Sequence, residues 1–272
     1  MKRVLSAAIL AGVGACAIAP SAMATEIRVT VTNTSGEGGL SLTPVYFGFH
    51  NGGVDLFDVG SAASPGIEEI AELGSFGTLR DERLAQQGNS AGAAALGVDG
   101  ALAGPVEPGE TATFTITLDS TDNRFLSFAS MVVPSNDTFI GNDDPMQFAL
   151  FDDEGDFLGP QTISVTPAFA YDAGTEVNNP AGGPAFVDGQ NPPDGVAENG
   201  VISAATSLSD FVGLLLFGGL TLDASAIDFL NTPNFTFATI EISEVPVPPA
   251  LAVMALGLAG FGGLSRLRRK AS

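Results

Sequence analysis

The sequence predicts an all-β fold: an antiparallel β-sandwich with one or two short helices and long acidic loops rich in Gly and Pro. Three observations carry that prediction. Short segments alternate apolar and polar residues with a period of two, the mark of a strand buried on one face. Turn-forming residues separate them, drawn from 34 Gly and 17 Pro in 272 residues. Nineteen Phe residues need a core, and two facing sheets are the simplest way to supply one.

The first strand falls in residues 26–33, where Ile27, Val29 and Val31 share one face and Arg28, Thr30 and Thr32 the other. Val45, Phe47 and Phe49 repeat the pattern. A helix follows: Ser64 can cap it, Pro65 suits its first turn, Glu68 and Glu69 favour its positive end, and Gly74 can stop it. Ile67, Ile70 and Ala71 form its buried face. Residues 80–87 suit a second short helix. Residues 87–104 are rich in Ala and Gly without a clear period, and are expected to be a flexible loop. After the turn Glu107-Pro108-Gly109, Phe114, Ile116 and Leu118 alternate again. Residues 125–133 are apolar almost throughout, as in a central strand. Residues 148–151, 162–165 and 235–242 are further strands, and 214–217 is a short apolar run of either type. Residues 172–200 are acidic and full of Gly, Pro and Asn, which predicts a long surface excursion. The expected core includes Ile27, Val29, Val31, Phe47, Phe114, Ile116, Phe128, Met131 and Phe237.

Both ends carry processing signals. Residues 1–24 have the layout of a secretory signal peptide: Lys2 and Arg3, an apolar stretch, then Ala22-Met23-Ala24 as a small-x-small cleavage site. Val13-Gly14-Ala15-Cys16 resembles a lipoprotein box, but the Ala24 site is better spaced. At the other end, residues 245–265 carry no charge, and Arg266, Arg268, Arg269 and Lys270 follow. Such a run can span a bilayer with the basic cluster on the cytoplasmic side. With its Val-Pro-Val-Pro-Pro-Ala start, the tail resembles a PEP-CTERM sorting signal, although Val247 stands where the namesake motif has Glu. That resemblance implies an exosortase-type membrane enzyme as partner, a transient membrane anchor, and delivery to the cell surface or extracellular matrix. A plain C-terminal anchor is the alternative. The expected organisation is a signal peptide at 1–24, one domain at 25–244 and a sorting signal at 245–272.

Between these signals the only basic residues are Arg28, Arg80, Arg83 and Arg124, against all 31 acids, a net charge of −27. Nothing there could neutralise phosphates, which excludes a nucleic-acid partner. Such a segment attracts divalent cations and repels anionic lipids and polymers. Its only Cys lies in the leader, which excludes a disulfide framework. Catalysis has little to work with. His50 is the sole His and has no nucleophile motif beside it, so it reads as a hydrogen-bonding group at a strand end. The carboxylates Asp143, Asp144, Asp152, Asp153, Glu154 and Asp156 crowd one stretch, but not at the spacing of an EF-hand. The chain is therefore expected not to be an enzyme.

Residues 127–141 read SFASMVVPSNDTFIG and residues 171–178 read YDAGTEVN. With Phe57-Asp58-Val59-Gly60 and Ala71-Glu72, and in the same order, they resemble the spondin N-terminal domain family over roughly residues 27–242. The resemblance implies an antiparallel sandwich akin to calcium-dependent membrane-targeting modules, and extracellular adhesion or matrix roles. Asp137 and Asp172 match two family calcium ligands. At the third, a Glu in the family, this chain has Leu118, with Asp119 next to it as the candidate. The resemblance thus implies calcium as the bound ion, held by Asp137, Asp172 and Asp119. Read without it, Asp137 and Asp172 are equally well explained as turn or cap acceptors. Two functions follow: a calcium-stabilised surface or matrix protein associated with biofilm or exopolysaccharide, or a module that uses calcium to grip a carbohydrate or protein ligand. A hydrolase built on acidic residues is the third and weakest.

Overall fold

A computed structural model of the protein describes residues 24–98, 104–223 and 235–246. Along the chain run β1 (Thr25–Asn33), β2 (Ser41–Leu42), β3 (Val45–His50), α1 (Pro65–Leu73), α2 (Gly77–Gln86), β4 (Ala91–Ala95), β5 (Thr111–Leu118), β6 (Phe125–Val133), β7 (Thr138–Gly141), β8 (Phe148–Ala149), β9 (Gln161–Val165), β10 (Ala170–Asp172), β11 (Ser203–Ala204) and β12 (Ala238–Glu244). Two antiparallel sheets form. The smaller has the order β5-β1-β12-β9. The larger has the order β11-β10-β7-β6-β3-β4, with β2 and β8 also paired to β6. The expected all-β sandwich is the observed architecture.

Alternation sets the register of the smaller sheet. Val29 lies between Phe114 and Ile242, and Val31 between Ala112 and Ile240, so apolar residues line one face across the strands. That face meets Phe47, Phe49, Leu126 and Phe128 of the larger sheet. Phe114 packs on Phe47 across the gap, with ring centroids 5.4 Å apart. Phe114 and Ile116 are only half-buried, because β5 is the sheet's edge.

The larger sheet is apolar on both faces, which adds a third layer. Tyr46, Ala129, Phe139 and Tyr171 point away from the sandwich and pack against Ile67, Ile70 and Ala71 of α1. The signals for α1 act as expected: Ser64 Oγ accepts from the Ile67 N–H, and Gly74 ends the helix at φ 68°. Met131 is buried, but in a separate cluster with Val133, Ala185, Val187 and Leu216. Part of the 172–200 segment is therefore core rather than surface excursion.

One loop expectation is overturned. Within residues 87–104, Ala91–Ala95 is a strand paired with β3, and a further bridge joins Gly97 to Gly104. Ala and Gly are poor strand formers, and at Gly92 there is little room for a side chain. A Cβ on Gly92 would lie 3.0 Å from both Arg83 Nη2 and Tyr46 Oη, and 3.1 Å from the Phe47 carbonyl. Strands β2, β7, β10 and β11 are not among the expected ones; of the expected elements, α2 begins earlier and β12 starts later and runs to Glu244. All of the expected signal peptide but Ala24 lies outside the described residues, as does the expected membrane span beyond residue 246. Among the described residues, no helix is long and apolar enough to cross a membrane.

Candidate functional site

The chain leaves β6, turns through residues 134–137 and returns as β7, while β10 pairs with β7 so that Asp172 stands opposite Thr138. The Ala173 N–H donates to the Asp137 carbonyl at 3.1 Å. These pairings bring Asp137 and Asp172 side by side from two distant segments. Asp137 is 0% exposed. Its Oδ2 accepts from the N–H groups of Thr175 (2.8 Å) and Glu176 (3.1 Å) and from the Thr175 hydroxyl (3.3 Å). Its Oδ1 is buried without a hydrogen-bond partner. A buried polar atom left so is costly, by roughly 1–3 kcal/mol and more when it is charged.

Burial, and then the charge of Asp172, raise the Asp137 carboxyl from 3.8 to about 6. Asp172 is also raised by burial, although the Gly174 N–H (2.9 Å) and Asn178 Nδ2 (2.6 Å) hold its two oxygens. Two neighbouring acids that both resist ionisation form a site a cation would relieve.

Glu176 belongs to the same neighbourhood. Its Oε2 accepts from Asn136 Nδ2 at 3.3 Å, and burial followed by acids that include Asp137 raises its carboxyl. Glu72, from the end of α1, is raised by burial, with Glu176 and Glu68 adding to the shift. Sequence reasoning passed over Glu176 and Glu72, although both lie inside the quoted motifs YDAGTEVN and Ala71-Glu72. The available signal was the acidic residue itself within each motif.

Asp119 is not brought to them. It lies in the turn entering β6, where its Oδ1 accepts from the Thr121 N–H at 2.9 Å, whereas Asp137 lies in the turn leaving it. Nine strand residues separate the two, about 25–30 Å of extended chain. Leu118 is 0% exposed and belongs to the core. Among the described residues, no group of three or more His, Cys, Asp and Glu side chains converges as a metal cluster. The candidate site is a carboxylate pair.

His50 is 0% exposed. Its Nδ1 accepts from the Gly52 N–H at 3.1 Å, so Nε2 carries the proton and donates to Ser127 Oγ at 3.0 Å. A general base would need the reverse arrangement. Burial, and then Arg83, lower its pKa from 6.5 to about 4.

The class defined by these features is a three-layer β-sandwich module with a buried aspartate pair at one strand end. The Spondin_N family model matches residues 41–191, more than half of the chain, and includes both aspartates. The chain belongs to the spondin N-terminal domain family, a domain of extracellular type. The matched span is narrower than the expected 27–242 and omits β1 and β12, which complete the smaller sheet. No curated protein matches the chain.

Proposed function

We propose that this protein is an exported, non-enzymatic surface or matrix protein whose spondin domain is held in shape by calcium bound at Asp137 and Asp172. One observation carries the reading: a fully buried carboxylate oxygen, Asp137 Oδ1, has no partner and lies beside a second carboxylate. The donor set fits a hard divalent cation, which takes six to eight oxygens and accepts main-chain carbonyls and water beside carboxylates. Bound calcium supplies the opposing charge; Thr175 and Glu176 keep Asp137 oriented through its other oxygen. Export rests on residues 1–24. Surface delivery rests on the 245–272 tail, an exosortase-type enzyme and a matrix polymer such as exopolysaccharide being the partners it implies.

The test is thermal unfolding with calcium and with chelator. Ligand present at 100-fold over its dissociation constant stabilises by about 2.7 kcal/mol. Wild type should gain melting temperature in calcium, and the Asp137→Asn, Asp172→Asn double variant should fold but lose that gain. Equal shifts in both proteins would sink the proposal, because general screening of an acidic surface would then suffice.

A further inference from the structure

The two sheets end on four edges, and three are short: β11 has two residues, while β4 and β9 have five each. The fourth, β5, runs for eight residues, Thr111–Leu118, and among the described residues pairs only with β1. Its sequence, TATFTITL, has no charge, Pro or Gly, in a segment of net charge −27. Sheet edges are normally guarded against pairing by charged side chains, Pro, bulges or brevity. None of these guards β5, although β4 of the larger sheet lies alongside it.

A second observation lies on the same edge. Phe114 and Ile116 point inward yet stay half-buried. Leu96 and Val98 are 50% and 75% exposed, and the Val98 N–H is tied to Glu110 Oε1 at 2.6 Å, at the start of β5. Unpaired backbone and uncovered apolar surface thus coincide.

We propose that β5 is a self-association edge, pairing antiparallel with β5 of a second copy of this chain to join the two smaller sheets into one. The pattern selects this occupant. Thr and apolar residues alternate identically in both directions, so a two-fold axis through Thr115 sets Phe114 against Ile116 and Thr113 against Thr117 of the other copy. Like faces meet like faces, and no charge is placed opposite a like charge. A charged peptide would find no complementary charge along the strand.

Sedimentation of the full chain in detergent, over a dilution series, tests this. A reversible dimer of the 27.6 kDa chain is expected, with amides of residues 112–117 gaining hydrogen-exchange protection as it forms. In Thr113→Lys, Thr117→Lys the two lysines face each other across the axis, and association should weaken about tenfold. Both positions are solvent-exposed, so an unchanged circular-dichroism spectrum should accompany the loss. The lysines also lower the net negative charge, so general repulsion between copies predicts stronger association instead. A wild type that stays monomeric, or a lysine variant that dimerises as well as wild type, overturns the proposal.

Discussion

Arg83 shows how one side chain organises a face of the sheet. It is 3% exposed, and its hydrogen-bond partners are neutral: Nε donates to the Tyr46 hydroxyl at 2.6 Å and Nη1 to Ser90. Without a carboxylate partner among the described residues, this buried cation acts on its neighbours. After burial itself, it is the cause that lowers His50. Replacing Arg83 with Met keeps an apolar stem but leaves the Tyr46 and Ser90 groups without their donor, a loss of about 1–3 kcal/mol. His50 should then titrate above 4 but still below 6.5, since burial remains the larger cause. It is the chain's only His, so its proton resonance reports this without assignment ambiguity. An unmoved His50 pKa would show that Arg83 has no electrostatic hold on it. The aspartate pair was legible in the sequence only through the two motifs, because nothing local to Asp137 or Asp172 announces the other. Asp119 failed as a partner because adjacency to Leu118 in sequence says nothing about which end of β6 it occupies.

At the scale of elements, legibility followed the strength of the period. Strand β1 and helix α1 were readable because alternation and caps are local properties of the chain. Strand β4 was not, because Ala and Gly carry no alternation and low strand propensity. What places it is tertiary: small side chains let Arg83 and Tyr46 lie against it. The apolar residues of 172–200 were hidden among acids and prolines for the same reason, since their partners Met131 and Val133 are distant in sequence. Gly92→Val separates the two influences on β4. Propensity alone predicts a gain of up to about 1 kcal/mol for a β-branched residue in a strand. The contacts predict a loss of about 1–3 kcal/mol, as in overpacked sites, because the Arg83 guanidinium, held by Tyr46 and Ser90 through Nε and Nη1, and the Tyr46 hydroxyl must shift to admit the side chain. Urea denaturation of the variant decides by the sign of the change alone.

For the whole molecule, the shifted groups set opposing responses to pH. His50 is neutral when buried, with its folded pKa near 4 against 6.5 unfolded. Its contribution is complete above 6.5 and is lost as pH falls towards 4. Asp137 behaves oppositely: with a folded pKa near 6 against 3.8, it favours the folded state most below 3.8 and loses that contribution as pH rises through 6. Each is worth about 3 kcal/mol at its limit, so the two nearly cancel. Glu69, lowered by hydrogen bonds from Ser75 and Thr78, sides with His50, but the remaining raised carboxyls, Asp55, Asp172, Glu72 and Glu176, outnumber it and decide the sign. Their individual contributions are discounted by partial exposure, but all four act in the direction of Asp137, as does relief of the −27 repulsion. The metal-free protein should therefore gain stability as pH falls from 7 to about 4.5. The calcium site proposed above requires ionised carboxylates and competes with the same protons, so the stabilisation proposed for it should shrink over that interval. Urea denaturation across this range, with and without calcium, should give two curves that converge towards the acid end. A metal-free protein that loses stability steadily below pH 7 would mean that the His50 contribution outweighs the carboxyls. Curves that stay parallel would mean that any effect of calcium does not draw on Asp137 and Asp172, and would overturn the proposed site.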